Sequence, residues 1–456
     1  MRAPLAFVLV ATLAAAPPAA SPGTSGAPGK RDVAVTVYND NLGVVKDRRA
    51  FPIGAGVSDL SFTDVASQID PTSVHLRPLG KTALEVLWQD YRYDLVNTDK
   101  LLARYVDQAV RVNTKDDQMR EGTLLSFDPG SLVLKDGQGG LAIVSRAEVR
   151  QISLAALPKG LITRPTLVWR LRSERGGDQP VEVSYMTGGM SWHAEYVAVA
   201  NEAGTSLDLQ GWASVENNSG ATFEDAQIKL VAGSIHRAPQ PRPLYRGGVV
   251  SDMMASAKVA EREFFEYHLY EVPLRATLSN SEVKQLGLLH ADGVRSAKKF
   301  TYDATKSEDK VMVTIEFENA AASGLGMPLP AGKVRVFQRD TDGSLELAGE
   351  DAIEHTPKNE TVRVAVGAAF DVTPERKQTD FKQVTPRLTE TTFEIALRNH
   401  KTAPVAVTVV EHASGDWEIV KSSQPATKKD ATTFEFPVTV KPEEPATITY
   451  TIRTRS

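Results

Sequence analysis

Histidine side chains are the groups of this chain best suited to metal binding or proton transfer. The sequence has eight of them and no cysteine, so catalysis by a thiolate is excluded. The segment Glu266-Tyr267-His268-Leu269-Tyr270 has the most reactive composition. On a strand, Glu266, His268 and Tyr270 would share one face, where they could bind a metal ion or place a base beside a carboxylate. We favour the simpler interpretation, a polar sheet face on which glutamate and histidine pair.

A further polar candidate is His355, which precedes a Thr-Pro-Lys sequence. A turn after the strand 352–354 is the simpler explanation of this motif. If the chain is a hydrolase, Glu266, His268 and His355 are its best site residues, and they must converge in one concave pocket. The sequence contains no zinc-protease helix, calcium loop, phosphate loop or dinucleotide fingerprint, and its Gly-x-Ser fragments do not complete a hydrolase elbow. We therefore expect no metal site and no cofactor.

Two tryptophans are candidates for binding. Trp192 and Trp212 could stack on sugars or anchor a partner. A tryptophan in a β-sandwich is more often a core residue, and we favour that interpretation.

One long stretch, residues 237–262, is rich in proline and glycine and predicts a flexible loop. Tyr245, Met253 and Met254 could make this loop a docking site, because methionine-rich surfaces adapt to different partners. An exposed, mobile loop is the simpler interpretation.

The N-terminal residues predict export. Arg2 provides a positive charge, Leu5–Leu13 is apolar, and small residues follow, as in a secretory signal peptide. We assign residues 1–20 to the signal peptide and the Ser/Gly/Pro-rich residues 21–31 to a disordered leader. Since no other stretch approaches the length of a membrane span, we expect a periplasmic or secreted protein whose mature chain does not cross a membrane.

Apolar and polar residues alternate along most of the remaining chain, which predicts β-strands. Frequent turn signals separate the strands and favour a mainly β protein made of β-sandwiches, with an immunoglobulin-like C-terminal part. The clearest alternating apolar sets are Val33, Val35 and Val37; Val311, Val313, Ile315 and Phe317; Phe393, Ile395 and Leu397; Phe434, Phe436, Val438 and Val440; and Ile448, Tyr450 and Ile452.

The segment 99–154 has a different pattern. Asp99–Gln108 predicts a short amphipathic helix capped by Asn97 or Thr98, and five short strands follow. This order predicts a small closed barrel that looks like the Sm-like or SH3-like architecture. Its eight basic and eight acidic side chains cancel, 8 − 8 = 0. We therefore expect no nucleic-acid binding.

These patterns predict four folded regions after the leader. They are an N-terminal β-domain (32–98), a small barrel-like module (99–157), a central β-domain (158–320) that contains the flexible loop, and a C-terminal β-sandwich (321–456).

Several segments resemble one family. They are YMTGGMSWHAEY, GWASVENNSG and FEDAQIKLVAG within residues 185–233, LPAGKVRVFQRDTDG at 329–343, and LRNHKTAPVAVTVVEH at 397–412. The chain resembles an exported bacterial family with the domain of unknown function 4139, related to mucoidy-inhibitor A-like proteins. The resemblance implies an exported, β-rich protein and a connection with exopolysaccharide or envelope physiology. It implies no reaction and no catalytic residues.

We therefore expect an exported, non-enzymatic envelope protein, a scaffold that binds an envelope protein or a surface glycan. The alternative is a hydrolase that acts on envelope polysaccharide or peptide.

Overall fold

The computed structural model describes residues 31–158, 162–233, 260–264 and 267–455. The predicted signal peptide, residues 21–30 of the predicted leader and residues 237–259 of the predicted loop lie outside them. The described residues form 30 strands, one α-helix and three short 3-10 helices. The prediction of a mainly β protein is confirmed. The last residues of the predicted loop differ from expectation, because a strand begins at Ala260.

The first elements of the chain are β1 (Asp32–Tyr38), β2 (Gly43–Ile53), β3 (Gly56–Thr63), β4 (His75–Pro78), β5 (Leu84–Arg92), α1 (Thr98–Arg104), β6 (Ala109–Thr114), β7 (Met119–Phe127), β8 (Ser131–Lys135), β9 (Leu141–Ser145), β10 (Val149–Ser153), β11 (Thr166–Ser173) and β12 (Gly177–Thr187).

The later elements are β13 (Met190–Ala200), β14 (Ser206–Asn217), β15 (Phe223–Ala232), β16 (Ala260–Phe264), β17 (Tyr267–Glu271), β18 (Ala276–Leu278), β19 (Glu282–Asp303), β20 (Met312–Glu318), β21 (Gly332–Arg339), β22 (Leu345–Ile353), β23 (Thr361–Ala368), β24 (Val372–Thr385), β25 (Leu388–Asn399), β26 (Val405–His412), β27 (Asp416–Ser422), β28 (Thr427–Lys428), β29 (Thr433–Val440) and β30 (Ala446–Arg455).

These elements belong to two units. Unit 1 consists of Lys46–Tyr185 together with Arg31 and Asp32, and unit 2 consists of Val33–Val45 and Met186–Ser456. The chain passes from one unit to the other inside β1, inside β2 and inside β12.

Unit 1 contains three groups of strands, ordered β2-β12-β4, β3-β11-β5 and β10-β6-β7-β8-β9. The last group follows α1, as the sequence predicted. The Asn97 side chain caps this helix by accepting a hydrogen bond from the Lys100 amide at 2.8 Å. The helix ends at Arg104, earlier than predicted, and Asp107 has a left-handed backbone with φ 65°. Leu102 and Tyr105 then pack on Leu124.

The five strands after the helix were expected to close into a barrel, and that expectation is wrong. The strands form an open sheet, because β9 and β10 lie at its opposite ends. The 3-10 turn Arg146–Glu148 joins these two strands, and β10 then pairs with β6. Alternating residues predicted each strand, but they do not determine which edges pair. None of the sheets in the described part of the chain is closed.

Unit 2 contains the order β16-β17-β15-β1, with β18 beside β15. Its largest sheet has the order β22-β21-β13-β14-β19-β26-β29-β28, and β20 pairs with both β19 and β23. A further sheet has the order β24-β25-β30-β27. Strand pairs β1–β15, β13–β21 and β19–β26 are parallel, and the other registered pairs of this unit are antiparallel.

The strand β19 is 22 residues long and takes part in two ladders. Residues 282–295 pair with β14, and residues 296–303 pair with β20 and β26. A bulge near the end of the first part places Asp292 and Gly293 opposite Asp208. Gly293 has φ 64° there, and its amide donates to the Asp208 carboxylate at 2.9 Å. One continuous strand therefore supports both halves of the largest sheet.

Two sheets pack face to face at the C-terminal end of unit 2. The alternating apolar residues predicted for β25, β29 and β30 form their shared core with residues of β26. The Phe434 ring meets Phe436 and Tyr450 edge to face, with centroids 5.6 and 5.5 Å apart. Such pairs add to the stabilisation that burial gives.

An ion pair with a buried carboxylate lies against this core. Glu411 is 2 % exposed, and Arg376 donates hydrogen bonds to its two oxygens at 2.9 and 3.0 Å. The Tyr450 hydroxyl donates to the same carboxylate, and the guanidinium lies 3.9 Å from the centre of the Phe393 ring. Burial and the negative charge of Glu411 raise the pKa of Tyr450. The carboxylate can be buried because these two donors satisfy it.

We expect Arg376→Met to lower the free energy of unfolding by about 3 kcal/mol, because it leaves Glu411 buried without its counter-ion. Urea denaturation followed by circular dichroism measures this loss. The matched control is Arg453→Met in β30, whose guanidinium pairs with Glu390 and Glu418 at the surface. Its unfolding midpoint should stay close to that of the unmodified protein. Equal losses in both variants would contradict the importance of the buried pair.

Candidate functional site

The structure places two of the three predicted hydrolase residues near one another. His268 lies on β17, opposite Ala232 of β15, and His355 follows β22. The positive charge of His268 lowers the pKa of His355, so the two rings lie within electrostatic reach of each other. Glu266 lies outside the described residues.

The hydrogen bond of His355 limits its possible chemistry. Its Nδ1 accepts from the Ala331 amide at 3.0 Å, so in the neutral ring Nε2 carries the proton. Burial lowers the pKa of His355, Glu354 opposes this shift, and His268 adds to it. In this form His355 can donate a hydrogen bond through Nε2, but it has no ring nitrogen left to act as a base.

His355 also helps to fix a segment of unit 2. The Tyr270 hydroxyl donates to the Pro328 carbonyl at 2.9 Å, and the Tyr196 hydroxyl donates to the Pro330 carbonyl at 2.8 Å. Together with the bond to His355, these contacts hold residues 328–331 just before β21. This segment begins the LPAGK motif of the sequence, so the motif has a clear structural role.

The two tryptophans considered for ligand binding are buried. Trp192 is 1 % exposed and Trp212 is 7 % exposed. The Trp192 indole donates to the Val231 carbonyl at 2.9 Å and meets the Tyr270 ring at a steep angle with 6.0 Å between centroids. Neither ring has a face open to a ligand.

The predicted docking residues Tyr245, Met253 and Met254 lie outside the described residues. Within the described ranges, no three His, Asp or Glu side chains are grouped so that they could share a metal ion. No helix in those ranges has both the length and the apolar character needed to cross a bilayer.

A different tryptophan is accessible, in unit 1. Strand β11 pairs with β5 on one side and β3 on the other, and Arg170 lies opposite both Trp88 and Asp59. The next outward-facing residue of β11, Arg172, lies opposite Glu85. We call the surface formed by these five residues the Trp88 face.

Alternation along β11 explains why the Trp88 face points outward. Trp169 is fully buried, and its indole donates to the Gln89 side chain at 3.2 Å. Because neighbouring residues of a strand point to opposite faces, Arg170 and its partner Trp88 lie on the exposed side. Trp88 is 40 % exposed.

The polar groups of the Trp88 face are held in place. Arg170 Nε donates to Asp59 at 3.0 Å, and its guanidinium carbon lies 5.7 Å from the centre of the Trp88 ring. Arg172 donates to Glu85 at 2.6 Å. The result is an aromatic ring beside hydrogen-bond donors and acceptors on one sheet surface. An aromatic ring can stack on the apolar face of a sugar, and the neighbouring groups can bind its hydroxyls.

The sequence did not distinguish Trp88 from the other tryptophans. Its strand, LEVLWQDYR, reads like any strand of the core. Its exposure follows from its position on the uncovered face of the sheet β3-β11-β5, and the sequence of β5 alone does not reveal which face is uncovered.

The fold defines the class of this molecule as a mainly β protein made of several open sheets. The family described as domain of unknown function (DUF4139) matches residues 181–455, more than half of the chain, and the protein belongs to this family. No curated protein matches the chain. The family match begins after the Trp88 face and includes His268 and His355.

We expect His355 to titrate below the ordinary histidine value. Its unfolded-state pKa is the higher one, so the unfolded chain binds more protons, and stability falls as the pH drops below about 6.5. Nuclear magnetic resonance of the ring protons measures the pKa, and thermal melts between pH 7 and pH 5 measure the loss. His355→Asn should show a smaller loss over this range. An ordinary or raised pKa would contradict the described hydrogen bond.

Proposed function

We propose that the protein is an exported, non-enzymatic envelope protein that binds a surface glycan through the Trp88 face. The observation that supports this proposal is the exposed indole of Trp88 beside the Arg170–Asp59 pair. Such a surface can stack on a sugar ring and bind its hydroxyls at the same time. The family resemblance and the signal-peptide pattern at residues 1–20 support the cell envelope as the place of action.

The proposed export has its own test. The protein recovered from the periplasmic or secreted fraction should begin after residue 20, as measured by N-terminal sequencing. Recovery of the full-length chain from the cytoplasm alone would contradict export.

The glycan proposal predicts that Trp88→Ala weakens binding to the polysaccharide of the producing cell's envelope by about tenfold, because a stacking surface is lost. Retention on immobilised polysaccharide, measured as a function of protein concentration, gives the change in affinity. Arg170→Ala should weaken binding as well, since it removes the hydrogen-bond donor beside the ring.

The matched control is Phe381→Ala in β24 of unit 2. Phe381 is 58 % exposed, so this variant loses an accessible aromatic ring elsewhere and should bind as the unmodified protein does. If Trp88→Ala retained full affinity, or if both variants lost affinity equally, the Trp88 face would not be the binding site.

A second candidate function is hydrolysis of envelope polysaccharide or peptide, because His268 and His355 lie near each other. In this hypothesis His268 is the base, and His355 donates a hydrogen bond through Nε2. His268→Asn should abolish cleavage of envelope material, as measured by the release of reducing ends or free amines. Unchanged release in this variant would reject the assignment, and no release by the unmodified protein would reject hydrolysis.

We propose that the face-to-face sheets at the C-terminal end are immunoglobulin-like, which their shared core of alternating residues supports. We also propose that the helix and five strands of residues 99–157 are related to Sm-like or SH3-like modules, which the order of these elements supports.

A further inference from the structure

Unit 2 contains a cleft that the proposed glycan binding does not use. Its volume is about 230 Å³. One wall comes from β19 and β20, where Lys298 lies opposite Ile315 and Phe300 lies opposite Val313. The other wall comes from the end of β13 and from β21, including Val336. The cleft therefore has an apolar floor formed by several strands.

Two lysines give the cleft a positive charge. The charged residues that line it are Lys298, Lys401 and Asp371, so their net charge is 2 − 1 = +1. The Lys401 ammonium lies 3.4 Å from the Asp371 carboxylate. The Lys298 ammonium donates to the Glu202 carbonyl at 2.9 Å, a neutral acceptor. The Glu202 carboxylate also acts on Lys298 but does not line the cleft, so a single negative charge from a ligand would balance the charged side chains of the lining.

Lys298 is held in place by the turn between β13 and β14. Gly204 has φ 67°, and a Cβ atom there would lie 2.8 Å from the Lys298 side chain. The stem of Lys298 therefore packs directly on this turn. The Ser296 hydroxyl donates to the Gly204 carbonyl at 3.1 Å and ties the turn to β19.

Lys401 is positioned independently. Its amide donates to the side chain of Asn399 at 3.0 Å. Asn399 is 1 % exposed, and its own amide group donates to the carbonyls of Ala403 and Val440 at 2.9 and 3.0 Å. A buried, fully bonded side chain thus fixes the loop from which Lys401 reaches the cleft.

The two ammonium groups influence each other. Burial lowers the pKa of Lys298, the positive charge of Lys401 lowers it further, and Glu202 opposes the shift. An anion placed between the two lysines would remove this repulsion. The mouth of the cleft also includes Phe370, which is 93 % exposed and could cover the apolar part of a ligand.

We propose that this cleft binds a small amphipathic monocarboxylate, with its carboxylate between Lys298 and Lys401 and its apolar chain on Phe300, Val313 and Ile315. The volume equals that of roughly eight waters at about 30 Å³ each, which suits a medium-length chain. Charge and shape both support this ligand class, because one end of the cleft is cationic and its floor is apolar. This site does not depend on glycan binding, which involves unit 1.

Octanoate is the probe for this proposal, and octanamide is its uncharged match in size. Isothermal titration calorimetry on the whole protein should detect octanoate binding, and octanamide should bind about tenfold more weakly because it lacks the charge. Octanoate should also shift the methyl resonances of Val313 and Ile315. Absence of octanoate binding, or equal affinity for the two probes, would overturn the proposal.

The double variant Lys298→Met, Lys401→Met should weaken octanoate binding by about tenfold or more. The control is Lys299→Met, the next residue of β19, which points to the opposite face and is exposed. This control should bind normally. The conservative variant Lys401→Arg, which keeps the charge, should retain binding within a few-fold and shows that the fold is intact. Unchanged affinity in the double methionine variant would overturn the assignment of the site.

Discussion

The continuity of β19 is the constraint on which unit 2 depends. At about 3.3 Å per residue, its 22 residues extend for roughly 70 Å. The first part pairs with β14, which in turn pairs with β13, the strand of Trp192 and Tyr196. The second part provides the edge on which β20 and β26 assemble. Because both ladders share one backbone, the course of β19 fixes the direction of the second ladder relative to the first.

The cleft is a direct result of this arrangement. From Ser296 onward, β19 pairs with β20 instead of β14. Lys298 and Phe300 lie on this second part of the strand. Space remains between this part and β21, and the turn at Gly204 closes one end of it. The cleft therefore forms where β19 changes its pairing partner from β14 to β20.

The strands and the helix of this protein could be predicted from the sequence, whereas most of its surface sites could not. Period-two alternation identified β1, β25, β29 and β30, because one face of each strand is buried. The cap at Asn97 is equally local, since donor and acceptor are three residues apart.

Other features depend on residues that are distant in the chain. Lys298 and Lys401 meet only after β19 and β26 pair, and Glu411 is buried only because Arg376 and Tyr450 come from other strands. Trp88 has the same local pattern as a core residue, and it is exposed because it lies on the uncovered face of its sheet. The barrel prediction was wrong for the same reason, since edge pairing is a property of the whole sheet.

The chain crosses between the two units inside strands. This limits where a fragment that contains the family domain can be cut. Residues 181–455 match the family, yet β1 (Asp32–Tyr38) lies outside this range and pairs in parallel with β15 of unit 2. A fragment cut at the family boundaries would lack this strand. The amides and carbonyls of β15 that pair with β1 would then face solvent, and such an unpaired edge invites association with other chains. The unit defined by homology is therefore smaller than the unit in which β15 keeps its partner β1.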